Sequence, residues 1–317
     1  MKKNQNTALL AAVAVFSIAI LAGCRELPGK EAADNQLEQR LSGNFQQEAA
    51  QAVKSSIGNI TTAVGEAVQE TTEKLEDKIN AEGISREFST SLPAGSASVV
   101  KVENALGEIA LSPSSGDEIV VTATVIVHDR NNKESTTAIL DNAELSIEHA
   151  GNALIVSMHG TGNTEKDLWD WAKKEYGDSD FSINYAIGLP ADVDRYELTN
   201  NVGAIQLRGL KGSFDVTSNV GSIIVQDAVF TGKSAVVSNT GSIELGISGM
   251  ESGSSLKARS DIGRITADLD HSLQCTVKAD SELGHIAGAE AGKPQDYNGG
   301  GPLVSLTTQI GAISVNP

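Results

Sequence analysis

The sequence predicts an all-β domain, a parallel β-solenoid (β-helix-like), preceded by a long amphipathic α-helix. Three observations predict it. Seven glycines (Gly107, Gly203, Gly221, Gly241, Gly263, Gly284 and Gly311) are each followed two residues later by isoleucine. From Gly203 to Gly284 they recur at steps of 18, 20, 22 and 21 residues, the period of a stacked repeat. Before that region, apolar residues recur at steps of mostly three or four rather than two.

The elements follow in order. Residues 1–23 have the form of a bacterial lipoprotein signal peptide. Lys2 and Lys3 form its basic start, Thr7 to Ala22 is uncharged and mostly apolar, and Leu21-Ala22-Gly23-Cys24 closes it. That run is shorter than the roughly 20 apolar residues of a membrane span and ends in small residues suited to cleavage. Cys24 is the expected lipidation site, a palmitate-type acyl anchor on the first mature residue. Arg25 stands where a retention signal would place Asp, so the expected address is the cell envelope, at the outer membrane if the host is diderm.

Residues 24–33 are a polar tether containing Pro28-Gly29. Residues 34–82 form the helical segment, with Leu37, Leu41, Phe45, Ala49, Val53, Ile57, Ile60, Val64, Val68, Leu75 and Ile79 on one stripe. Its other faces carry acids and amides rather than the lysines and arginines of a membrane-surface helix. The stripe is expected to pack on the solenoid, a sister helix or a partner.

Residues 83–317 form the repeat domain. Ile119 to Val127 is rich in branched residues and predicts a strand. Ala143 to Glu148 and Ala153 to Met158 flank His149-Ala150-Gly151-Asn152 as a hairpin. An excursion at 160–180 interrupts the pattern and holds both tryptophans, with Leu168 to Tyr176 spaced for one or two helical turns. Ile183 to Leu189 resumes the strand pattern, and the repeats then run to the C-terminus.

The repeats place apolar residues seven, five and one before the glycine, then two and four after it, with Ser234 the exception at seven before. Alternation on both sides gives two short strands joined at a bend. Asn201, Asn219, Asn239 and Asp261 stand two before their glycines, where they are expected to bond turn backbone. One repeat buries too little to offset the ordering of about 20 residues, so the repeats must stack. Aromatic content of 4% suggests an interior filled by Ile, Val and Leu rather than by rings.

Val102-Glu103-Asn104-Ala105-Leu106-Gly107-Glu108-Ile109, the Ile183 to Pro190 entry and the following N-x-G-x-I units resemble the bacterial putative-adhesin domains related to head-GIN domains. The resemblance covers roughly Phe88 to Pro317 and implies a parallel β-helix-like fold. It carries no established catalytic residues to transfer.

Charge narrows the partners. Cleavage before Cys24 removes two lysines and no acids, leaving 22 basic against 41 acidic residues, a mature net charge of −19. Such a surface repels nucleic acid, which is not expected as a partner. Cys275 is the only cysteine besides Cys24, and its alternating surroundings place it in the core.

His128, His149 and His159 end neighbouring strands and would need to converge to hold a metal; none is expected, and no cofactor is implied. Asp178-Ser179-Asp180 is too short for a calcium site. Asp215, Asp227, Asp261, Asp268, Asp270 and Asp280 do not share one repeat position, so a solvated acidic face is expected. The chain is therefore read as a non-enzymatic, lipid-anchored envelope protein, bound to the membrane through Cys24 and offering a scaffold to a protein or polysaccharide partner. A polysaccharide-active enzyme and a regulatory partner of an envelope signalling system are the alternatives. Trp169 and Trp171, on the excursion, are the candidate partner contacts: on a helical turn they point different ways, so one ring could stay exposed.

Overall fold

The computed structural model describes residues 83–128, 133–177 and 180–317. The signal peptide, Cys24, the tether, and the helical segment expected at 34–82 up to its last residue lie outside them. The described chain is all-β apart from two short helices.

Its first third supplies β1 (Ile84–Pro93), β2 (Val99–Leu106), β3 (Ile109–Pro113), β4 (Glu118–Val127), the helix α1 (Lys133–Asn142), β5 (Ala143–Ala150), β6 (Ala153–Gly160), β7 (Asn163–Asp167), α2 (Leu168–Tyr176) and β8 (Phe181–Leu189). The repeats then supply β9 (Arg195–Val202), β10 (Ile205–Arg208), β11 (Lys211–Val220), β12 (Ile223–Phe230), β13 (Lys233–Thr240), β14 (Ile243–Met250), β15 (Ser255–Ile262) and β16 (Ile265–Leu269). The C-terminal part adds β17 (Cys275–Leu283), β18 (Ile286–Ala287), β19 (Pro294–Tyr297), β20 (Leu303–Ile310) and β21 (Ile313–Asn316).

Each glycine-isoleucine unit becomes two strands joined at the glycine, and equivalent strands of neighbouring units pair in parallel. One ladder runs β2–β9–β11–β13–β15–β20–β17 and the other β3–β10–β12–β14–β16–β21–β18. The register keeps the repeat positions aligned. Ile109, Ile205, Ile223, Ile243, Ile265, Ile313 and Ile286 pair in one row of the second ladder, and all but Ile286 are fully buried. Period-two alternation in the sequence therefore sends one set of aliphatics inward and leaves the other set outside, as a pleated strand requires.

The stacking order departs from the sequence order at both ends. The final unit, β20 and β21, sits between β15–β16 and β17–β18. At the opposite end β2 and β3 lie inside β6 and β8, which follow them in sequence. Beyond β8 the pairing turns antiparallel through β4 and then β1, and beyond β6 through β5. The β5–β6 hairpin turns at Gly151-Asn152, inside the segment expected for it.

α1 was not anticipated. Its sequence, KESTTAILDN, has two β-branched threonines and only a short apolar stretch, a weak periodic signal. It forms because tertiary contacts hold it: Ile139 and Leu140 are buried, and Arg86 on β1 donates to the Leu140 carbonyl at 2.9 Å and pairs with Asp141 at 2.7 Å.

The interior also admits rings, against the expectation of an aliphatic bore. Tyr185, Tyr196, Phe181, Phe214 and Phe230 are among its largest fully buried side chains. Tyr196, Phe214 and Phe230 stack with centroids 4.9 and 4.8 Å apart, so one stretch of the interior is wide enough for aromatic packing. Tyr196 donates its hydroxyl to the Val193 or the Lys211 carbonyl, each at 3.0 Å. Burial pushes the phenols of Tyr185 and Tyr196 well above their ordinary value near 10. A raised folded value means stability is fully present below about pH 10 and is lost as pH rises from there towards the folded values. We expect alkaline titration followed at 295 nm to ionise Tyr185 and Tyr196 only as the fold is lost. Ionisation of these two near pH 10, with the fold intact, would contradict this placement.

The asparagines two before the glycines bond one another rather than turn backbone. Asn219 donates to Asn201 at 2.8 Å and Asn239 to Asn219 at 2.9 Å, forming an exposed amide row. In four units the turn carbonyl is met instead by the residue three before the glycine. Asn200 donates to the Gly107 carbonyl at 2.8 Å, Ser260 to Gly241 at 3.1 Å, Thr308 to Gly263 at 3.2 Å and Ser281 to Gly311 at 3.0 Å. In these units the inward polar side chain satisfies an acceptor on the unit beside it, whereas the buried hydroxyls of Ser218 and Ser238 at the same position have no hydrogen-bond partner.

Candidate interaction surfaces

The excursion at 160–180 folds as β7 followed by α2. Asp167 caps the helix by accepting from the Asp170 amide at 2.7 Å, and Gly177 ends it in a left-handed conformation. Leu168 and Ala172 are fully buried. Both tryptophans are half-buried and packed against the core cluster. Trp169 stacks on Phe181 at 5.1 Å with its Nε1 directed to the Phe181 carbonyl at 3.4 Å. Trp171 meets Tyr176 edge-on at 5.8 Å and lies over Gly160, where a Cβ would fall 2.5 Å from the indole. The two rings do point to different neighbours, yet both cover apolar surface, and each leaves only part of itself to solvent.

The three strand-end histidines go separate ways. His128 Nε2 is 3.1 Å from Ser182 Oγ, and His149 Nε2 is 3.2 Å from the Pro93 carbonyl. His159 is buried rather than superficial, with Nδ1 3.2 Å from the Gly160 carbonyl. Among the described residues no group of three or more His, Cys, Asp or Glu is placed to hold a metal.

The six aspartates are dispersed too. Asp261 is held by Arg259 at 2.8 Å, Asp268 accepts from Asn316 at 2.7 Å, and Asp280 lies 3.9 Å from Lys278. Asp270 accepts from the Ser272 hydroxyl at 2.6 Å and its amide at 2.9 Å, which holds its carboxyl below the usual range. Asp215 is exposed on β11, and Asp227 sits within β12 at its register shift, with φ 54°. Cys275 is buried, and desolvation raises its thiol pKa, the opposite of an activated nucleophile.

A second surface was not singled out from sequence. It is a trough of about 360 Å³ on the outward face of β4, β8, β3, β10 and β12. Thr122, Ala186, Ala110, Gln206 and Ile224 form one row across these strands. Val120, Gly188 and Ser112 form part of the next row, with Arg208 and Gln226 paired farther along it. The floor lies over β8 and β3, whose outward residues are Ala, Gly and Ser. Val120 and Thr122 stand on one side, and Gln206, Arg208, Ile224 and Gln226 on the other. Arg208 donates through Nε to the Gln226 amide oxygen at 3.0 Å.

No protein-family model matches this chain. No curated protein matches it either. Solved structures resemble it distantly. A putative cell adhesion protein from Clostridium sporogenes ATCC 15579 is 13% identical, with TM-score 0.40, covering 74% of this chain and 99% of that one. A putative adhesin from Bacteroides fragilis NCTC 9343 is 15% identical, with TM-score 0.34, covering 73% and 97%. A putative lipid binding protein from Parabacteroides distasonis ATCC 8503 is 11% identical, with TM-score 0.28, covering 74% and 98%. Likenesses this distant carry no weight for function, which rests on the residues described above.

Proposed function

We propose that the chain is a lipid-anchored, non-enzymatic cell-envelope protein whose β-solenoid is an interaction scaffold of adhesin-like type. The observation that supports it most is the continuous parallel pairing of the two ladders from β2 and β3 to β17 and β18, shifted in register only within β12–β14. Aliphatics seal the inner faces, while the outer faces hold side chains in fixed rows about 4.8 Å apart. A surface ordered that way offers a partner many weak contacts without a cost of loop ordering on binding. The half-exposed rings of Trp169 and Trp171 would add a further contact surface at one side.

The anchor rests on Leu21-Ala22-Gly23-Cys24. Metabolic labelling with a fatty acid is expected to mark the protein and to vanish in Cys24→Ser while the chain is still made. Label retained by that variant would reject the anchor. Cross-linking in intact envelopes, followed by capture, then identifies what the scaffold holds. Recovery of a signalling protein rather than a surface ligand would move the reading to a regulatory one.

A further inference from the structure

We propose that the outward trough over β8 and β3 binds a segment of an acidic, uronate-bearing polysaccharide. This deepens the scaffold reading and rests on it. The trough lies where strands distant in sequence bring small outward residues side by side. Ala110, Ala186 and Gly188 leave the backbone of two neighbouring strands almost bare, while Val120 and Ile224 rise beside them. The lining spans five neighbouring strands and two outward positions along them, so a ligand of several sugar rings would lie across the strands.

Charge selects the ligand. The chain carries a formal net charge of −17, yet none of the described residues lining the trough is acidic, and one is Arg208. Glu244 stands one strand beyond Ile224, outside the lining. Arg208 is exposed and lines the trough, and its Nε donates to Gln226, which orients the guanidinium. A fixed guanidinium beside an open surface matches a carboxylate in a bidentate pair. Against the repulsion of the surrounding protein, only a ligand that meets this group gains from being anionic.

Hydroxyl chemistry favours a glycan over a peptide. The floor strands β8 and β3 are paired on both sides, so their backbone is spent in the ladder and cannot add an extended peptide strand. Recognition falls to side chains: the amides of Gln206 and Gln226 and the hydroxyls of Thr122 and Ser112 both donate and accept. Sugar hydroxyls do the same. Val120 and Ile224 offer apolar surface to the C–H faces of a sugar ring.

The test is calorimetric titration of the full chain, held in detergent, with oligogalacturonate and with alginate oligomers. The neutral probe is methyl-esterified oligogalacturonate, and polyglutamate is the acidic peptide. We expect at least one free-acid glycan to bind, and esterification to weaken it about ten-fold or more. Arg208→Ala should weaken it by a similar factor, the value of a hydrogen bond to a charged group. Ala110→Trp, which fills the trough from an outward position, should abolish binding with the melting temperature unchanged. Failure of both acidic glycans to bind would overturn the proposal, as would equal binding by Arg208→Ala, by the esterified probe or by polyglutamate. None of these failures would touch the lipid anchor or the cross-linked partner, which test the broader reading separately.

Discussion

Ile223→Asp is expected to unfold the repeat domain, whereas Gln226→Asp, three residues along the same strand, leaves its melting temperature nearly unchanged. Ile223 is fully buried and pairs in register with Ile205 on one side and Ile243 on the other. A carboxylate there has aliphatic neighbours and no cation, and an uncompensated buried charge costs several kcal/mol. That is a large share of the 5–15 kcal/mol by which domains are usually stable. Because each unit is covered by the next, the loss should spread to neighbouring units rather than stay local. Gln226 is exposed, and surface changes of this kind usually stay within about 0.5 kcal/mol. Circular dichroism melts of the two variants decide the matter; similar melting temperatures would refute the inward row and the register with it.

Gly221→Ala is the second large effect. Gly221 has φ 146°, a conformation L residues rarely adopt, and an added Cβ would lie on the Gly203 carbonyl, 2.6 Å from its carbon. The obstacle is backbone of the adjacent unit, locked in the ladder by bonds such as Gly203 N–H to the Val220 carbonyl at 2.9 Å. No rotamer change relieves it, so the units must separate or the turn must distort, costing on the order of 3 kcal/mol or more. Gly151→Ala is the matched control. It also has positive φ, 65°, but nothing lies within 4 Å of the added Cβ, so the cost should stay near 1–2 kcal/mol. Chemical denaturation of both variants measures the difference, and equal losses would show that the conformation, not the close approach, fixes the glycine.

These two residues also show what could be read from the chain. Gly221 and Ile223 recur with their surroundings in every unit, and that recurrence alone predicted strand, bend, strand and the inward row. The hairpin around Gly151 and the turns of α2 were legible for similar reasons, each marked by local turn or helix spacing. The trough was not legible, because Ala110 and Ala186 are 76 residues apart in sequence and meet only through the β3–β8 register. Nothing in either local pattern marks those alanines as neighbours. The amide row was misread for a related reason. Asn201 and Asn219 each have a plausible local partner in their own turn, but the adjacent unit offers a repeated and better one. Ring packing at Tyr196, Phe214 and Phe230 likewise depends on two units coinciding, which overall aromatic content cannot convey.

The exchanged order of the last two units has a consequence for how the chain is made. Synthesis delivers β17 and β18 first, but the place beside β15 and β16 belongs to β20 and β21. Until residues 303–317 arrive, β17 lacks β20 as its parallel partner and the row of buried isoleucines has a gap. Residues 303–317 are therefore a keystone: a chain lacking them loses an interior course of the stack, not an outer one.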